Sequence, residues 1–142
     1  MSEPLIVTDS PTCEDVAHLE QRLEEHNISH TGITDARLLT IVLRDDHGNI
    51  IAGLHGWTWG GCCEVKTLWV HEGVRGNGLG TRLMKAAESE ARARGATQIV
   101  LSTHSFQAPA FYARLGFIEL ARVEGCPTGH SSIYLKKKIR DA

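Results

Sequence analysis

No apolar run in this chain approaches the length needed to cross a bilayer. The start, Met1-Ser2-Glu3-Pro4, has neither the basic nor the apolar region of a signal peptide, so a cytoplasmic location is expected. The four cysteines, Cys13, Cys62, Cys63 and Cys126, include no CxxC pair. Adjacent Cys62 and Cys63, if on a strand, point to opposite faces and do not readily grip one ion together. The eight histidines form no His/Cys cluster. No metal is expected, and the thiols read as free and reduced. A net charge of -2 offers no electrostatic case for binding nucleic acid or an anionic membrane surface. Repeats, low-complexity stretches and linkers are absent as well. One domain over residues 1–142 is expected, long enough to bury roughly two-thirds of its unfolded surface.

What the chain does have is concentrated in Leu68-Trp69-Val70-His71-Glu72-Gly73-Val74-Arg75-Gly76-Asn77-Gly78-Leu79-Gly80-Thr81. A strand-like run enters an Arg- and Gly-rich turn that opens into an amphipathic helix. Glycines let a ligand approach the backbone, and a helix start presents unpaired N–H groups with partial positive charge. The result is a site for phosphate. Two phosphate motifs are excluded by spacing. Gly73 and Gly78 are set as in a P-loop, but Leu79 stands where Lys is required. Gly76 and Gly78 open a dinucleotide fingerprint, but Thr81 replaces its third glycine.

Arg75-Gly76-Asn77-Gly78-Leu79-Gly80, an Arg-x-x-Gly-x-Gly run after a strand and before a helix, resembles the pyrophosphate loop of the GNAT superfamily of acetyl-CoA-dependent N-acetyltransferases. Downstream, Phe111-Tyr112-Ala113-Arg114-Leu115-Gly116-Phe117 resembles that family's late Phe-Tyr-x-x-Leu-Gly-Phe segment. Ser105-Phe106-Gln107-Ala108-Pro109-Ala110-Phe111-Tyr112, with Pro127-Thr128-Gly129-His130, is similar to a widespread branch of small bacterial members.

Read for elements, Leu5-Ile6-Val7-Thr8 is a short first strand, and Thr12 caps a helix carrying Val16, Leu19 and Leu23 on one face. Asn27 to Asp35 reads as a loop, either plain or with a helical turn. Leu38–Leu43, Ile50–Trp59 and Cys62–Val70 are meandering strands around Gly-rich turns. A helix from Leu79 ends near Gly95, and Gln98–Thr103 is a buried strand. Pro109 opens a short helix that Gly116 stops, Phe117–Val123 is a strand, and Ile133-Tyr134-Leu135 leads the last one into a solvated tail, Lys136-Lys137-Lys138. The expectation is an α/β (α+β) fold with a mixed, mostly antiparallel sheet of about seven strands flanked by helices. The resemblance implies a GNAT fold with splayed central strands.

The resemblance also implies a chemistry. Backbone N–H groups from Gly76, Asn77, Gly78, Leu79, Gly80 and Thr81 would hold the pyrophosphate of acetyl-CoA, the co-substrate, while Arg75 adds charge or braces the loop. The end of the strand, Leu68-Trp69-Val70, would pair with the pantetheine amides as an added strand does. A backbone N–H near Val70 would polarise the thioester carbonyl. By the same resemblance Tyr112 protonates the leaving thiolate, and Glu64 stands where several members carry a base. Strand alternation puts Glu64 on one face with Lys66, Leu68 and Val70. His104, then His55 and His71, are rival bases, since imidazoles titrate nearest neutrality. Trp57 and Trp59 either frame an acceptor or belong to the core, and Asp35, Glu64 and Glu124 offer charge for an amine. The expected reaction is direct attack of a small-molecule primary amine on the thioester. A protein amine as acceptor, a non-catalytic acyl-CoA-binding domain and a homodimer are all compatible with the same residues.

Overall fold

The computed structural model describes residues 3–140, in two compact units divided between Thr34 and Asp35. The first holds one helix, α1 (Cys13–Thr31). The Thr12 hydroxyl accepts from the Asp15 N–H at 3.1 Å, so the helix starts where its capping residue predicts. Its end does not fall at Asn27. The helix runs on through Ser29 and Thr31, whose hydroxyls donate back to the His26 and Asn27 carbonyls instead of capping a loop. Gly32 stops it at φ 69°, the left-handed conformation a glycine adopts without strain. Leu5–Thr8 form no strand among the described residues, because apolar β-formers become a strand only against an edge to pair with.

The second unit is a six-stranded sheet, one fewer than expected, with strands β1 (Arg37–Arg44), β2 (Ile50–Trp59), β3 (Cys62–Val70), β4 (Gln98–His104), β5 (Ile118–Glu124) and β6 (Ser131–Lys138) in the order β1-β2-β3-β4-β6-β5. Every neighbouring pair is antiparallel except β3 with β4. A parallel neighbour requires a crossover, and α2 (Leu79–Ala93) supplies it. Leu83, Met84, Ala87 and Ala91 form the buried stripe of α2, packing with Ala52, Leu54, Val65, Ile99 and Leu101 into one core. The short α3 (Pro109–Arg114) starts on its proline. The lysines expected as a solvated tail belong to β6, where Lys136 pairs with Val100 and Lys137 with Ile99. Lys137 Nζ reaches the Glu88 carboxylate of α2 at 2.9 Å. No helix among the described residues is long and apolar enough to cross a membrane.

Candidate active site

β3 and β4 stay together for only four residue pairs, Cys62↔Gln98 to Val65↔Leu101. Beyond them, Thr67 to Val70 remain on β2 while Ser102 to His104 remain on β6. The sheet therefore opens as a V, and a groove of about 870 Å³ lies between its arms.

A bulge sits at the apex. Gly56 pairs with Val65 and His55 with Thr67, which leaves Lys66 as the extra residue of β3. An added residue resets alternation. Leu68 and Val70 pair with the buried Leu54 and Ala52 on the face covered by α2, whereas Glu64 pairs with Trp57 on the opposite face. The expected shared face of Glu64, Lys66, Leu68 and Val70 is therefore overturned. Glycine at position 56 makes the bulge possible, because a Cβ there would collide with the Glu64 carbonyl oxygen. Trp57 and Trp59 are half-buried on that outer face and do not join the core.

At the open end, His71 Nδ1 accepts from the Gly73 N–H at 2.9 Å and caps a turn of 3-10 helix, Glu72–Val74. Arg75 Nε donates to the Val70 carbonyl at 2.9 Å, and Asn77 Nδ2 to the Val74 carbonyl at 3.1 Å. The loop is thus tied to the strand by its own side chains. Gly76 and Gly78 have φ values of 84° and 75°, and Gly78 caps α2 without a side chain. The N–H groups from Gly76 to Thr81 find no acceptor among the described residues. That row of free donors at a helix start, with Arg75 beside it, fits a pyrophosphate. Leu68, Trp69, Val70, Arg75 and Gly80 line the groove. Gly76, Asn77, Gly78 and Leu79 form the loop at its end, while Thr81 lines a separate cavity of about 250 Å³ with Lys85 and Arg114.

Tyr112 lies on α3 within the groove wall, edge-on to Phe111 at 5.1 Å and to Phe117 at 5.7 Å. Burial pushes its phenol above the ordinary value, so it holds its proton well beyond neutrality. His104 ends β4 in the same groove, stacked on Phe106 at 5.4 Å. Its Nδ1 is buried with no hydrogen-bond partner among the described residues. The rival histidines are engaged. His55 Nδ1 lies 2.7 Å from Thr40 Oγ1, and His71 caps its turn. Glu64 does not line the groove. Of the other acids, Asp35 accepts from the Gly60 N–H at 3.0 Å and Glu124 from the Ser131 hydroxyl at 2.7 Å.

One residue escaped sequence reasoning. Gln107 Oε1 accepts from both the Thr103 hydroxyl at 2.9 Å and the His104 N–H at 2.8 Å, fixing the end of β4. The signal was present in the Ser105-Phe106-Gln107 run, but nothing in a sequence says which backbone group a glutamine amide will hold.

Comparison with known proteins agrees with this architecture. The chain is 31% identical over 134 residues to an acetyltransferase of Agrobacterium fabrum, covering 94% of this chain and 98% of that one. It is 35% identical over 119 residues to blasticidin-S acetyltransferase of Streptomyces morookaense, covering 79% and 85%. The crystal structure of an acetyltransferase from Bacillus cereus superimposes with a TM-score of 0.77 at 29% identity, over 94% of this chain and 97% of that one. Residues 6–117 match the Acetyltransferase (GNAT) family. A match of that extent, on a split sheet with a free-amide loop at its mouth, places the chain in the GNAT family as an acyltransferase.

Proposed function

We propose that the protein moves the acetyl group of acetyl-CoA to a primary amine of a small molecule by direct attack. The observation that carries this reading is the groove, which brings Tyr112 and the unpartnered His104 Nδ1 together between the two arms of the split sheet. The family match crosses the division between the two units, which supports reading the chain as one catalytic domain. A relative named for blasticidin-S, a small molecule, supports a small acceptor over a protein amine.

In this reading the amide loop and Arg75 hold the pyrophosphate, and groove-facing N–H groups of β3 align the pantetheine arm and polarise the thioester carbonyl. The amine nitrogen bonds to the carbonyl carbon as the carbon–sulfur bond breaks. His104 Nδ1 takes the proton shed by the amine, which requires the tautomer protonated on Nε2. Tyr112 gives its hydroxyl proton to the departing sulfur. That transfer runs uphill, from a phenol to a thiolate of lower pKa, and depends on fixed positioning. Glu64, on the outer face, reaches the site only through water.

Thiol release from acetyl-CoA across a panel of amines tests the proposal. Tyr112→Phe and His104→Ala should each lower kcat by about a hundredfold or more while CoA still raises Tm. A larger loss in Glu64→Gln than in His104→Ala would return the base to Glu64. CoA binding without turnover of any amine would make the chain a binding module instead.

A further inference from the structure

Among the described residues the groove is lined by Lys66, Arg75 and Arg114 and by no carboxylate. Arg75 is tied to the Val70 carbonyl at the loop end, and Arg114 also lines the second cavity beside Lys85 and Lys137. Lys66 is different. It is the extra residue of the bulge, exposed at the apex of the V, and it makes no ion pair among the described residues.

Two large aromatic side chains are partly exposed at the same groove, one on each arm, Trp69 edge-on to His71 and Phe106 stacked on His104 and edge-on to His130. Trp69 is 43% exposed on β3 and Phe106 is 55% exposed just beyond β4. Trp69 pairs with Gly53 and so projects from the face opposite α2. His104, on which Phe106 stacks, projects from that face too, because the flanking Leu101 and Thr103 are buried on the core side. The free-amide loop opens into α2, on the other face. Exposed aromatics cost hydration unless something flat covers them, and a lysine with no ion pair, in a groove lined by no carboxylate among the described residues, favours an anion.

The geometry points to an acceptor that joins a planar ring and an acidic group to its primary amine, with Trp69 and Phe106 flanking the ring and Lys66 pairing with the acid. Polycationic amines are disfavoured at such a site. This specificity rests on the acetyltransferase reading above and deepens it.

The test compares tryptophan and phenylalanine with tryptamine and phenethylamine, which lack the acid, and with spermidine and kanamycin, which are polycations. The aromatic amino acids should have the highest kcat/KM. Lys66→Glu should raise KM for tryptophan at least about tenfold, as expected for a lost charge-assisted contact, while changing that for tryptamine little. Trp69→Ala should raise KM for all the ring-bearing amines. Preference for spermidine or kanamycin overturns the inference alone, as does an equal effect of Lys66→Glu on tryptophan and tryptamine. Absence of turnover on every amine, with CoA binding intact, overturns the underlying reading and the inference with it.

Discussion

Cys63 makes a pH-dependent contribution to stability although nothing in the groove uses it. Its side chain is 1% exposed, and desolvation pushes the thiol up to about 11, with Cys62 and Glu64 adding to the rise and Arg94 opposing it. An unfolded chain ionises this thiol near 9.0, so the folded state keeps a proton that the unfolded state gives up. The stabilisation is fully present below about pH 9 and is lost as pH rises through about 11, a fall of up to about 3 kcal/mol. Tyr112, also raised by burial, acts in the same direction. Thermal unfolding between pH 8 and 11 should show a Tm decline that is shallower in Cys63→Ala than in the parent protein. Identical slopes would mean that Cys63 ionises without unfolding the core. That this thiol is free is legible in the sequence, whereas its burial follows from the strand register.

At the scale of the element, β3 shows why some of the fold was legible and some was not. The limits of β2 and β3 follow from Gly60-Gly61 between two β-rich runs, and α2 starts at Leu79 because the Gly-rich turn ends there. The lysines of β6 read as a tail because sequence does not reveal that Glu88 waits on α2 for Lys137. The bulge is the consequential omission. A one-residue insertion changes which side chains share a face, and only the pairing partner shows it. Gly56 is its footprint, since no other residue leaves room for the Glu64 carbonyl oxygen. Gly56→Ala should therefore cost about 2 kcal/mol or more in urea unfolding, because the obstruction is backbone and cannot rotate away. It should also depress acetyl transfer, since straightening β3 would re-aim Lys66 to Val70. Retained activity with lost stability would show that the groove tolerates a shifted bulge.

The sheet of the second unit behaves as a V with one closed and one open end, and the two ends differ in what ties them. At the closed end Thr97 donates to Gly61 and accepts from Ile139, both at 2.8 Å, joining the arms through the segment after α2. Arg94, at the end of that helix, donates to the Leu38 carbonyl at 3.0 Å and the Thr58 hydroxyl at 3.1 Å. At the open end no strand ladder crosses the gap beyond Val65 and Leu101, so alternate amides of residues 66–70 face the groove unpaired. Exchange of backbone hydrogens should report this asymmetry directly. Amides of Thr97 and Ile139 should exchange slowly with or without ligand, whereas groove-facing amides of β3 and those from Gly76 to Thr81 should exchange fast in the free protein. Acetyl-CoA, by pairing with β3 and filling the amide loop, should slow both of these sets and leave the closed end unchanged. Protection of the loop without β3 would place the pantetheine arm elsewhere, and protection spread evenly over the sheet would mean that binding closes the V as a whole.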